Sequence, residues 1–107
     1  MGFKIIFKAI KGIAKNIKFS HLGTGEYLEI LTDMEQGDKL EISTIEGSKY
    51  VKLNKQDIFN SINRQSTFFN ISTGDNLLEY SAEEGQTNLD VILYYVPKYT
   101  NGLVINN

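Results

Sequence analysis

The stretch from Thr73 to Tyr99, TGDNLLEYSAEEGQTNLDVILYYVPKY, decides the fold class. Gly74-Asp75-Asn76 is a turn, Leu77 to Ala82 a short strand, and Glu83-Glu84-Gly85 a polar turn. A strongly apolar strand follows, closed by Val96-Pro97, because proline cannot donate to a β ladder. This is the ending of an antiparallel β domain. Leu89 to Val96 is apolar on both faces over most of its length. That pattern predicts a buried central strand covered on both sides, holding Val91 together with Ile92 or Leu93.

Working backwards, alternating segments separated by turn residues recur from Lys18 onward. Gly23-Thr24-Gly25 is a turn before Tyr27–Leu31. Gly37-Asp38 precedes a segment in which Leu40 and Ile42 share one face, and Lys39 and Glu41 the other. Glu46-Gly47 leads into Lys49–Leu53, where Val51 and Leu53 oppose Tyr50 and Lys52. Alternation of this kind marks strands with one face in the core and one in water. Turn signals about ten residues apart favour an antiparallel sandwich or barrel. Between Asn54 and Thr73 the pattern changes. Residues 57–62 predict one short helical turn, capped by Asn54 or Asp57. Residues 67–71, Thr-Phe-Phe-Asn-Ile, return to strand character.

The N-terminal segment admits two readings. Lys4, Lys8, Lys11, Lys15 and Lys18 would fall within about 80° of one another on a helix, the pattern of a basic amphipathic helix on an anionic membrane. The preferred reading is a strand. Phe3, Ile5, Phe7 and Ala9 alternate with Lys4, Ile6, Lys8 and Ile10, Gly12 breaks the run, and β-branched isoleucines dominate.

Composition bounds the function. The chain has 107 residues, 41% hydrophobic content and a net charge of −2, which predicts one ordered domain over 1–107. With no cysteine, disulfides and thiolate metal sites are excluded, in keeping with a reducing cytoplasm. No apolar run approaches the ~18 residues of a membrane span. Lysines interrupt the apolar start too often for a signal sequence. The negative charge, with basic residues clustered only at the N-terminus, argues against nucleic acid.

No motif carries chemistry. The single histidine, His21, sits beside a turn and reads as an exposed turn residue; no nucleophile elbow surrounds a serine. Glu83-Glu84 and the Asp33, Glu35, Asp38 set lack the spacing of a calcium loop and read as solvated turns. Gly23-Thr24-Gly25 lacks the Gly-Lys-Ser/Thr ending of a phosphate loop. The sequence therefore predicts no catalytic, cofactor-binding or metal-binding residues, and no enzyme.

Four stretches together resemble the C-terminal, galectin-like domain of the siphophage distal tail protein family. They are FKAIKGIAKNIKFSHLGTGEYLEI from Phe7, GDKLEIST with EGSKYVKLN in the middle, DIFNSINRQSTFFNISTGDN from Asp57, and the last strand NLDVILYYVPKY. The resemblance spans about Phe7 to Tyr99, and the order and spacing of the stretches carry it. It implies a galectin-like or jelly-roll-like antiparallel sandwich and a structural role at the phage tail tip. The family's full-length proteins add an N-terminal domain that closes a hexameric ring, and the resemblance implies that this half is absent here. The implied partners are other tail-tip or baseplate proteins, a tail hub or receptor-binding protein, and the implied location is the virion after assembly in the host cytoplasm. The isolated domain is expected to be a monomer or weak dimer. Loop position assigns the contact surface to Gly23, Thr24, Gly25, Glu26, Tyr27, Glu83, Glu84, Gly85 and Gln86. Two alternatives stand beside this reading. One is a carbohydrate-binding module for cell-wall attachment, using Tyr27, Tyr50, Tyr80 or Tyr99. The other is a small membrane-active protein acting through the basic N-terminus.

Overall fold

Phe3, Ile5, Phe7 and Ala9 are at most 1% exposed, while Lys4, Ile6 and Lys8 between them reach solvent. The N-terminal segment is thus a strand, β1 (Phe3–Ala9), as the alternation requires. The computed structural model describes residues 1–72 and 76–95. After a bend at Lys11-Gly12 the chain returns as β2 (Ala14–His21), followed by β3 (Glu26–Met34), β4 (Lys39–Ser43), β5 (Tyr50–Leu53) and the two-residue β6 (Gln56–Asp57). The last strands are β7 (Leu78–Glu84) and β8 (Leu89–Tyr95). Every strand pair is antiparallel. The strands form a five-stranded sheet in the order β6-β5-β4-β1-β8 and a three-stranded sheet in the order β3-β2-β7. The expected all-β antiparallel sandwich is present. The basic-helix alternative is overturned: Lys4 and Lys8 lie on β1, Lys15 and Lys18 on β2, and Lys11 in the turn between them.

The inner faces meet through aromatic rings. Phe3 packs edge-on against Phe19 with centroids 5.4 Å apart, and Phe7 packs edge-on against Tyr80 at 5.9 Å. Such pairs add about 0.5–1.5 kcal/mol beyond the area they bury. Ile5, Leu40, Ile42 and Val51 from one sheet and Ile17, Leu28, Ile30 and Met34 from the other complete the core. β2 buries Ala14 and then Ile17, three residues on rather than two. The register with β3 shifts between Lys15 and Ile17, where Asn16 adopts φ 52°. This irregularity re-aims the side chains so that both apolar residues face inward. β5 and β6 are joined by Asn54-Lys55, both with positive φ, the backbone that a two-residue hairpin turn requires.

The short helical turn expected over 57–62 is a 3-10 turn at Phe59–Ser61. The Asp57 carboxylate accepts the Phe59 N–H at 2.8 Å. Residues 67–71 depart from expectation, since they join neither sheet. Their period of two is real, as Phe69 and Ile71 are buried. Thr67 still bonds to Tyr27 O beside β3, and beyond it the chain leaves that strand to pack between the two sheets. The Phe69 ring sits 5.2 Å from Phe3 of one sheet and 5.6 Å from Phe19 of the other. The Ile71 N–H donates to Met1 O.

Strand β8 also departs from expectation. It is not central but ends the five-stranded sheet, with β1 as its only strand partner among the described residues. Val91 and Leu93 are half-buried and Ile92 is 42% exposed. An apolar run on both faces is equally compatible with an uncovered edge. The turn expected at Gly74-Asp75 and the stop at Val96-Pro97 lie outside the described residues.

Candidate interaction surfaces

The two loop groups singled out in the sequence lie at opposite ends of β2. Residues 22–25 turn directly after His21, whereas Glu84 pairs with Lys15 near the other end of that strand. At about 3.3 Å per residue, roughly 20 Å of strand separates them. They are two surfaces, not one.

The first surface is braced from below by His21. This histidine is 7% exposed, which corrects its reading as an exposed turn residue. As the last residue of β2 it follows Ile17 and Phe19 onto the inner face. Its ring packs edge-on against Phe69 at 5.9 Å. Nδ1 accepts the Thr24 N–H at 3.3 Å, and Nε2 lies 3.1 Å from Asn76 Oδ1. The two contacts together require the Nε2–H tautomer. The histidine thus holds the Gly23-Thr24-Gly25 turn closed. Gly25 completes the turn at φ 79°, its N–H bonded to His21 O at 2.9 Å. Glu26 donates its N–H to Thr24 Oγ1, and Lys18 Nζ stands 4.3 Å from the centroid of the Tyr27 ring.

The second surface is the corner between β7 and β8. Asn16 donates to the Glu83 carboxylate at 2.6 Å, anchoring it to the irregular residue of β2. Glu84 pairs in register with Lys15, which pairs on its other side with Asp33. Gly85 has φ 76°, and a Cβ there would stand 1.9 Å from Ile13 O. Only glycine allows this corner to press so closely on the β1–β2 turn. Gln86 begins the 3-10 turn Gln86–Asn88, and Asn88 reaches across to Ile13 O with its side-chain amide at 2.8 Å.

A third feature escaped the sequence reading. On the outer face of the five-stranded sheet, Lys4, Glu41, Tyr50 and Lys52 gather on three neighbouring strands. The Tyr50 hydroxyl donates to Glu41, Lys4 Nζ is 3.8 Å from Glu41, and Lys52 Nζ lies 4.6 Å from the centroid of the Tyr50 ring. A hydrogen bond with Tyr50 raises the Lys4 amine above its usual range, and burial, then Glu41, raises the Tyr50 phenol. The alternation of β5 already placed Tyr50 with Lys52. Their meeting with Lys4 and Glu41 depends on strand order, which periodicity does not encode.

Of the tyrosines considered for sugar stacking, Tyr27 and Tyr50 carry lysines over their rings, and Tyr80 packs on Phe7. Tyr99 lies outside the described residues. Among the described residues, no three His, Asp or Glu side chains converge to hold a metal ion. No helix there is long and apolar enough to cross a membrane. An open depression is lined by Lys8, Ala9, Ile10, Gln36, Gly37 and Lys39; it holds no acid–base pair. The described surface presents fixed turns and a charged sheet face.

No curated protein and no solved structure matches the chain significantly. The family model of the siphovirus-type tail component, C-terminal domain, matches residues 3–99, which takes in every described strand of the sandwich, and the chain belongs to that family.

Proposed function

We propose that this tail component is a peripheral protein-interaction module of the distal tail, presenting a rigid surface to other tail-tip proteins and catalysing no reaction. The observation that carries this reading is the family match across residues 3–99. The geometry is in keeping with it, since turns at both ends of β2 are held by side-chain hydrogen bonds and a crowded glycine. The Gly23–Tyr27 turn and the Glu83–Gln86 corner face opposite ends of the sandwich. They would therefore meet two different neighbours, a hub on one side and a receptor-binding protein on the other. The protein is made in the host cytoplasm and acts in the assembled virion tail.

Deleting residues 18–99 in the parent phage tests this. The expected result is particles with defective baseplates or without adhesion parts, and gold-labelled antibody against the domain marking only the distal end of intact tails. Normal infectious particles, or label spread along the tube, overturns the proposal.

A further inference from the structure

Every sandwich of this kind has four outer edges, and an unpaired strand edge invites pairing unless it is shortened, charged, bent or covered. Three edges here are managed. β6 is only two residues long. β3 is covered on the outer side of Tyr27 to Ile30 by the following chain, through the Ile30–Ile62 bridge and the bonds from Asn63 N–H to Glu29 O and Thr67 N–H to Tyr27 O, and beyond that it carries the exposed charge of Asp33. β7 carries Glu79, Glu83 and Glu84, all exposed. The fourth edge, β8, is not managed within Leu89–Tyr95. It is seven residues long and pairs with β1 without a register shift. It has no proline and one charge, Asp90. Ile92, Tyr94 and Tyr95 are 42%, 50% and 45% exposed. The apolar side chains just inside this flank, Leu78, Tyr80 and Ala82 of β7 with Val91 and Leu93 of β8, are only partly buried.

We infer that the edge of β8, open among the described residues, is a self-association site, which pairs antiparallel with β8 of a second copy to join two five-stranded sheets into one. The residues themselves argue for a second copy as the occupant. A two-fold axis through Ile92 is the one register that uses all seven residues and keeps inward side chains inward. It sets Leu89 against Tyr95, Asp90 against Tyr94, Val91 against Leu93, and Ile92 against itself. The only charge thus faces a tyrosine hydroxyl, an acceptable partner, and no like charges meet. The apolar pairs are of the kind that stabilises neighbouring strands. The symmetry is that of an isologous dimer. A single edge pairing buries less than the ~1,200 Å² of a standard stable interface. Association is therefore weak in dilute solution and grows wherever copies are held close together.

The test measures self-association of the full chain by sedimentation, and hydrogen exchange of the β8 amides, over a wide concentration range. Ile92→Lys places two ammonium groups opposite each other on the axis. It should weaken association by on the order of tenfold or more. Because Ile92 is exposed, the thermal melt of the dilute variant should match the parent. Ile92→Glu alone should fail likewise, and a mixture of the two variants should associate again. Leu31→Lys, an exposed leucine on the other sheet, should leave association intact. A protein that stays monomeric throughout, or that associates equally well as Ile92→Lys, overturns the inference. So does slow, concentration-independent exchange of those β8 amides that point away from β1, because the edge would then be covered within the single chain.

Discussion

β1 and β8 lie side by side in one sheet, paired residue for residue from Phe3↔Tyr95 to Ala9↔Leu89. They have the same length and the same hydrogen-bonding partner in each other. Their surroundings differ. The inward residues of β1 are all at most 1% exposed, whereas on β8 Leu89 alone is buried, Val91 and Leu93 are half-buried, and Tyr95 is 45% exposed. By composition the order should be reversed, since LDVILYY is more continuously apolar than FKIIFKA, with its two lysines. Burial follows position. β1 has strands on both sides and the three-stranded sheet beneath it, while β8 has one strand neighbour among the described residues and sits at the flank. The charged residues of β1 report a solvated outer face above a dry inner one. The apolar outer residues of β8 report a face and an edge that nothing in the described chain covers.

The sharpest way to break this comparison is to cut the same layer at both strands. Phe7→Ala should destabilise by about 3–5 kcal/mol, the range for a fully buried phenylalanine. Leu93→Ala, half-buried, should cost roughly 1–2 kcal/mol, below the range for fully buried leucines. Ile92→Ser on the exposed side of β8 should stay within about 0.5 kcal/mol of the parent. Urea unfolding of the three variants in dilute solution decides the matter. Equal costs for Phe7→Ala and Leu93→Ala would mean that β8 is as enclosed as β1.

The corner that presses β8 into place offers the next largest effect. Gly85 and Gly25 both have left-handed backbone, with φ 76° and 79°. A side chain at either pays about 1–2 kcal/mol for that conformation. At Gly25 nothing stands within 4 Å of the new Cβ, but at Gly85 it would meet Ile13 O and Ala14 Cα. Overpacking against backbone should add about 1–3 kcal/mol for Gly85→Ala, and faster hydrogen exchange in β8 should accompany it. A Gly85→Ala variant no less stable than Gly25→Ala would show that the β7–β8 corner does not clamp the strand.

The residues that were legible in the sequence are those whose environment depends on their own strand alone. Phe3, Ile5 and Phe7, Leu40 and Ile42, and Val51 all face inward as alternation requires, because period two is a property of the backbone. The turns at Gly25, Gly37 and Gly47 were legible because positive φ favours glycine. What was not legible depends on neighbours. Strand order put β8 at an edge. The irregularity at Asn16 and the hairpin at Asn54-Lys55 use positive φ without glycine, so no composition signal marked them. His21 was misread because its turn is exposed while its own position, in step with Ile17 and Phe19, is not. Of the nine residues named for contact, Gly23, Thr24 and Gly25 form a turn as read, but Glu83 and Glu84, read as part of a turn, end β7, and the chain turns only from Gly85. Their placement at opposite ends of β2 depends on strand pairing, which the sequence does not encode.

The smallest effect is electrostatic and concerns the turn that fastens the end of β1. Gly37 donates its N–H to Ala9 O at 2.7 Å, and Ala9 donates to Asp38 O at 3.0 Å. The Asp38 carboxylate holds this turn by accepting the Glu35 N–H at 2.8 Å and the Asn54 side-chain amide at 2.9 Å. The backbone hydrogen bond from Glu35, then the bond from Asn54, favours the ionised form and lowers the Asp38 pKa. The unfolded chain therefore takes up this proton at higher pH than the folded one. The contribution of Asp38 is complete above the ordinary carboxylate value of about 4, and is lost as pH falls through the lowered folded value. Because the carboxylate is exposed to solvent, the effect is small and fades with added salt. Asp38→Asn keeps the shape and removes the titration. Its urea midpoint should fall less than that of the parent between about pH 6 and about pH 2, where the ordinary carboxylates titrate. The same substitution should leave exchange in β8 unchanged, because the turn at 36–38 touches β1 and not its edge neighbour. Parallel acid profiles for parent and variant would separate Asp38 from the stability of β1.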